Sequence, residues 1–242
     1  MKRVNYTIVL LMLLCCFSFT IHQGRPIIVY GGHTDTWNLA SYEPLEEPLR
    51  TYYTKIIAEE MAKYPDEFYE KIGLEYIVLV KDLKFDIDYR AAIPDKKKNI
   101  LFMGVRDGYE DEYVRHCFHH EQNHFTEYAL WNDYRYNWDK WAELYTGGRE
   151  GGEIAYRNND RTVGDFRSDL IGFLNRYSAL GQEEDRAEIM AYFMTDSKRT
   201  LLIEKAKNDR VLNEKALLLF ELYATELYFP NLLKQYKEEL SK

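Results

Sequence analysis

The sequence has few cysteines and a deficit of basic residues, and both shortages limit what the protein can be. Only three cysteines occur in 242 residues, and Cys15 and Cys16 both lie in an apolar N-terminal segment. Beyond that segment Cys117 stands alone, so no internal disulfide can form there. Lysine and arginine total 32 against 40 acidic residues, a net charge of −8. This balance disfavours nucleic acid or an anionic membrane surface as a partner.

Long hydrophobic runs are also missing, apart from one near the N-terminus. The run Ile8–Phe19 is shorter than the roughly 20 apolar residues of a transmembrane helix, and Lys2 and Arg3 precede it. A basic start, a short apolar run and a polar exit predict a signal peptide over residues 1–24 and an exported (secreted, periplasmic or cell-surface) protein. An uncleaved membrane anchor is the alternative. Lipid attachment at the cysteine pair is disfavoured, because Leu14 is not the small residue such processing prefers.

The remaining chain, 25–242, has the composition of one globular domain with a substantial core. Apolar residues make up 46% of the sequence and aromatic residues 15%, and no repeat or low-complexity tract interrupts them. An exported domain without disulfides must be held together by its core, by a metal, or by both. Strands precede helices along the chain, which favours an α+β fold. The patterns predict helices over 49–65, 65–73 and 111–130, strands over 75–80 and 99–105 joined by a loop, and helices from 183 with breaks near Asp196, Asn208 and Pro230.

The stretch HHEQNH (119–124) carries the strongest chemical signal. His120 and His124 are four residues apart, so on a helix both rings face the same side and can bind one zinc ion. Glu121 lies at the flank of that face, where its carboxylate can take a proton from a zinc-activated water. The alternative is a polar helix face with ordinary histidines.

A catalytic zinc site needs a third protein ligand, and EEDRAEIMAYFM (183–194) offers one. Glu184 and Glu188 are also four residues apart on a predicted helix. One glutamate can bind zinc while the other accepts the N–H of a ligand histidine. A solvated acidic helix face is the alternative explanation of this pair.

Together, HEQNH and RYSALGQEEDRAEIMAYFM (176–194) resemble the gluzincin metallopeptidases, most closely the catalytic domain of anthrax lethal factor. They are also similar to a family of exported "putative zinc-binding metallopeptidases". The resemblance implies a zincin-like fold with one Zn²⁺ per chain and a peptide or protein substrate. It implies three zinc ligands (His120, His124, Glu184), a general base (Glu121), an oxyanion donor (Tyr177) and a carboxylate that accepts a hydrogen bond from a ligand histidine (Glu188).

We therefore expect a zinc metallopeptidase of gluzincin type, a hydrolase in which zinc activates the attacking water. A zinc-stabilised binding module without activity and a zinc hydrolase of a non-peptide bond are the alternatives. The strand NILFMGV (99–105) is a candidate edge strand for an extended peptide substrate.

Several neighbouring residues have weaker signals. His116 is expected to support or pack against the site, His119 to be an ordinary histidine, and Cys117 to be a buried structural thiol rather than a nucleophile. The tryptophans 131, 138 and 141 are expected in the core, and the glycine cluster 146–152 in a flexible loop.

Overall fold

The computed structural model describes residues 24–131, 139–146 and 164–242. Nearly all of the predicted signal peptide lies outside these residues, as do Trp138, the side chain of Trp131 and most of the glycine cluster. Within the described residues, no helix is long and apolar enough to cross a membrane.

Six strands form one mixed sheet in the N-terminal half. The main path is β1-β3-β6-β5, in which β1, β3 and β6 are parallel and β5 is antiparallel to β6. Two further strands, β2 and β4, pair antiparallel with β3. The bounds are β1 Ile27–Val29, β2 Ala40–Glu43, β3 Tyr76–Phe85, β4 Asp88–Tyr89, β5 Ala92–Asp95 and β6 Ile100–Val105.

Helices flank the sheet and make up most of the C-terminal half, which confirms the predicted α+β class. Their bounds are α1 Leu49–Met61, α2 Asp66–Ile72, α3 Asp111–Trp131, α4 Asp139–Leu144, α5 Gln182–Met194, α6 Asp196–Asn208, α7 Arg210–Glu226 and α8 Pro230–Leu240. The predicted breaks at Asp196, Asn208 and Pro230 are confirmed. Gly73 ends α2 in the left-handed conformation that glycine adopts without steric cost.

The sheet separates two apolar layers, because neighbouring side chains of a strand point to opposite faces. Ile77, Leu79, Leu101 and Met103 join the large core under the helices. Other residues of β3 and β6, together with Ile93 of β5, pack on the other face in a smaller cluster: Val78, Val80, Leu83, Ile93, Ile100 and Phe102. Helix α5 lies deep within the helical half, since every residue from Glu184 to Met194 is buried.

The prediction that NILFMGV is an edge strand is wrong. Strand β6 lies between β3 and β5 and all six of its residues are buried. The segment AAIPDKKK (91–98), interpreted from the sequence as a loop, contains β5 and a 3₁₀ turn, Lys96–Lys98. Pro94 favoured the interpretation of this segment as a loop. Proline is nevertheless compatible with an edge strand, because a residue at the free edge need not donate a backbone hydrogen bond to a neighbouring strand.

Candidate metal centre

Helix α3 brings three histidines to one face on successive turns. His116, His120 and His124 are all buried, with exposed fractions of 5–8%. The spacing of four residues stacks their rings along the helix, and the ring centroids of His120 and His124 are 4.8 Å apart. This face is directed at α5 rather than at solvent.

Helix α5 places Glu184 against the histidine pair. Its Oε2 lies 3.0 Å from Nε2 of His120 and 3.3 Å from Nε2 of His124, and the two Nε2 atoms are 3.0 Å apart. Three ligands about 2.05 Å from a tetrahedral zinc ion would be separated by roughly 3.3–3.4 Å. The three atoms are thus spaced nearly as a zinc ion would require.

The charges around these atoms also suit a cation. The Glu184 carboxylate is buried, which alone would raise its pKa, but His124 and His120 hold that pKa well below its usual range. Burial alone would lower the histidine pKa values, yet hydrogen bonds with Glu184 and Glu188 raise that of His120, and Glu184 raises that of His124. The three groups together therefore attract positive charge, from protons or from a metal ion.

Glu188 supports His120 from the opposite side. Its Oε1 lies 2.9 Å from Nδ1 of His120 and 3.0 Å from Nε2 of His116. The carboxylate is held ionised, because His116 and His120 lower its pKa despite its burial. It can therefore accept the Nδ1–H of His120, and Nε2 of His120, which is directed at Glu184 and His124, is then the nitrogen that would bind a metal ion.

A second group of potential metal ligands, His116, His120 and Glu188, overlaps the first. In both groups the histidine nitrogens contact a carboxylate oxygen. The group His120, His124 and Glu184 in addition has its two histidine nitrogens 3.0 Å apart, so a cation satisfies it better.

Glu121 and Tyr177 lie beside the first group. Glu121 follows His120 on α3 and is half-buried, and burial raises the pKa of its carboxyl. Tyr177 belongs to the turn before α5, and its ring centroid is 5.7 Å from that of His120. All six residues named as site residues from the sequence thus lie around one centre.

Three further residues can be compared with the sequence interpretation, and His119 is the one that differs from it. His119 is not ordinary: it is fully buried, with Nε2 2.6 Å from Glu60 and Nδ1 2.9 Å from the hydroxyl of Tyr64. Burial raises the pKa of the Cys117 thiol to about 12, which disfavours a thiolate nucleophile. Trp141 is buried as predicted, and its indole N–H donates to Asp185.

Asn175 is the residue of this region that the sequence interpretation missed. It is fully buried, and its side-chain N–H group donates to Glu188 Oε2 at 2.5 Å. The available signal was the pair Asn175 and Ser178, since asparagine and serine three residues apart commonly close a turn.

Comparison with known proteins supports the fold. No protein-family model and no curated protein matches the chain. A solved structure from Bacteroides caccae, described as a "putative zinc-binding metallo-peptidase", is similar with a TM-score of 0.55 and 14% identity, covering 92% of this chain and 89% of that one. The chain therefore has a metallopeptidase-like fold.

Proposed function

We propose that this protein is a zinc-dependent peptidase of gluzincin type, with His120, His124 and Glu184 as its zinc ligands. The observation that carries the proposal is the convergence of their three ligand atoms, at 3.0–3.3 Å, from two helices about 60 residues apart. The similarity to a solved structure described as a zinc-binding metallopeptidase supports the same metal.

The remaining site residues have the chemistry that peptide hydrolysis requires. Zinc held by these ligands would polarise the substrate carbonyl and lower the pKa of a water molecule. Glu121 accepts the proton of that water, and its raised pKa brings the carboxyl closer to the pH at which a general base works best. The same carboxyl then gives the proton to the leaving amine. The Tyr177 hydroxyl donates to the oxyanion that develops on the carbonyl.

The sheet offers a place for an extended peptide at β5. This strand pairs with β6 along one edge, and within the described residues no strand pairs with its other edge. It also contacts α3, the helix that carries Glu121. A substrate added to β5 as a further strand would have its main chain held by hydrogen bonds. Peptides N-methylated at positions facing β5 should therefore show a raised KM.

The decisive experiment is zinc analysis of the purified protein together with cleavage of a mixed peptide library. The variants are Glu184→Gln, Glu121→Gln and, as a matched control, Glu183→Gln. Glu183 is the neighbour of Glu184 on α5 but belongs to neither group of potential ligands. We expect one zinc per chain in the parent, in Glu121→Gln and in Glu183→Gln, and weakened zinc binding in Glu184→Gln. We expect Glu121→Gln to be inactive.

Other results would contradict the proposal in different ways. A parent protein that binds no zinc would show that HHEQNH is a polar helix face. Stoichiometric zinc without cleavage of any peptide would instead favour a zinc-stabilised binding module or a hydrolase of another bond. Equal zinc loss in Glu183→Gln and Glu184→Gln would remove Glu184 as the specific ligand.

A further inference from the structure

The turn before α5 is closed by reciprocal hydrogen bonds between Asn175 and Ser178. The Ser178 backbone N–H donates to Asn175 Oδ1 at 2.8 Å, and the Ser178 hydroxyl donates to the Asn175 carbonyl at 2.9 Å. The backbone N–H of Asn175 donates to the Ser178 hydroxyl at 3.3 Å. Tyr177 lies between these two residues, so its backbone position is set by a turn that Asn175 closes.

The same asparagine contacts the carboxylate that supports the metal centre. Its Nδ2 donates to Glu188 Oε2 at 2.5 Å and to the Gly164 carbonyl at 3.2 Å. The orientation of the amide follows from its partners, because a backbone N–H requires the oxygen and two oxygen acceptors require the nitrogen. Asn175 is fully buried, so water cannot easily replace these bonds.

Glu188 divides its two oxygens between Asn175 and the histidines. Its Oε2 accepts from Asn175, while its Oε1 is 2.9 Å from Nδ1 of His120. Fixing one oxygen fixes the plane of the carboxylate, and therefore the direction in which the other oxygen meets the His120 ring. A continuous path of hydrogen bonds thus runs from the Tyr177 turn through Asn175 and Glu188 to His120.

We propose that Asn175 is a positioning residue that holds the His120 ring in its zinc-binding orientation and fixes the position of the turn containing Tyr177 relative to that ring. The inference rests on the proposed zinc centre, but not on the reaction that this centre performs. Replacement of a group that orients a zinc ligand typically weakens zinc binding about 10–100-fold.

The test is a reciprocal exchange of the amide and the carboxylate. Asn175→Asp keeps an oxygen for the Ser178 N–H but sets a second carboxylate against Glu188. Glu188→Gln removes the original carboxylate. In the double variant N175D/E188Q, the amide introduced on α5 donates to the carboxylate introduced in the turn, and the oxygen of that amide still faces His120. The exchange therefore restores one hydrogen bond with donor and acceptor reversed.

The measurements are the zinc Kd, by competition with a chromophoric chelator, and the visible absorption of the cobalt(II)-substituted protein, which reports ligand geometry without turnover. We expect Asn175→Asp to raise the Kd at least about tenfold and to alter the cobalt spectrum. The double variant should bind zinc more tightly than the two single effects added together predict, a coupling that independent sites would not show. Asn213→Asp is the matched control, because Asn213 bonds Tyr236 on the C-terminal helices.

A parent-like Kd and cobalt spectrum in Asn175→Asp would overturn the inference, as would single-variant effects that simply add in the double variant. If Asn175→Asp does not fold, Asn175→Ala tests the inference directly, and a parent-like Kd and cobalt spectrum in that variant would overturn it. A parent that binds zinc but cleaves no peptide would contradict the peptidase proposal alone, since the zinc and cobalt data judge Asn175 separately.

Discussion

Arg186 binds Glu127 through two parallel hydrogen bonds, Nε to Oε1 at 2.6 Å and an Nη to Oε2 at 2.8 Å. Both residues are buried, and they join α5 to α3, the two helices that carry the candidate zinc ligands. A buried pair of this kind contributes less to net stability than its short distances suggest, because both charges had to leave water. Its main effect is to fix how the two helices meet.

Removal of one member of this pair should be more harmful than removal of both. Glu127→Leu or Arg186→Met leaves a buried charge without its counter-ion, which typically costs about 3–5 kcal/mol. The double variant Glu127→Leu with Arg186→Met should lose clearly less than the sum of the single losses. Urea denaturation of the metal-free proteins measures all three free energies of unfolding. Strictly additive losses would show that the two side chains do not interact energetically.

Each helix contributes one pair of residues to the site, and both pairs could be predicted from the sequence. Residues four positions apart share a face of a helix, whatever the position of that helix in the fold. His120 and His124 form one such pair, and Glu184 and Glu188 the other. Their meeting depends on contacts between distant parts of the chain, which spacing does not encode. The resemblance to known metallopeptidases supplied that step.

The same limit explains what the sequence interpretation missed. The sequence interpretation assigns no role to Asp185 and Arg186, yet both are buried, against Lys215 and Glu127. Their partners lie too far along the chain to be recognised by pattern. The prediction that NILFMGV is an edge strand failed for the same reason, because an apolar run identifies a buried strand but not the strands that pair with it. A four-residue strand containing Pro94 has almost no periodicity to detect.

Strand β6 should not tolerate a side chain at Gly104. A Cβ atom there would come within 2.6 Å of the Leu83 Cβ and 2.9 Å of the Arg90 carbonyl oxygen. Relief requires movement of the backbone that leads into β5, so we expect Gly104→Ala to lower stability by about 1–3 kcal/mol. Gly164→Ala is the control, because no described atom lies within 4 Å of a Cβ at that position. Thermal unfolding compares the two variants, and equal melting temperatures would contradict the prediction.

The buried pair His119 and Glu60 should make the metal-free protein sensitive to acid. Burial lowers the pKa of His119 from 6.5 to about 4, although Glu60 opposes this shift. Burial alone would raise the pKa of Glu60, but His119, Lys63 and Arg115 lower it from 4.5 to about 2. Both groups bind protons more readily in the unfolded chain, so stability falls as the pH decreases.

His119 contributes to this loss between about pH 6.5 and 4, and Glu60 between about pH 4.5 and 2. The fall of the His119 pKa from 6.5 to about 4 corresponds to roughly 3 kcal/mol. Urea denaturation with EDTA between about pH 4 and 7.5 should show this slope, and His119→Asn should make it shallower. Identical slopes in the parent and the variant would exclude His119 as a source of the acid sensitivity.

Tyr177 should affect turnover without affecting the metal. Its ring centroid is 5.7 Å from that of His120, and the three ligand atoms of the proposed zinc site come from other residues. As the proposed donor to the oxyanion, its hydroxyl would act mainly in the transition state, and loss of one such donor typically lowers kcat about 10²–10³-fold. We expect Tyr177→Phe to show this loss with little change in KM or zinc Kd. Tyr228→Phe, at a largely exposed side chain after α7, is the control. A loss of zinc in Tyr177→Phe would assign the hydroxyl to the metal centre instead, and an unchanged kcat would remove it from the reaction.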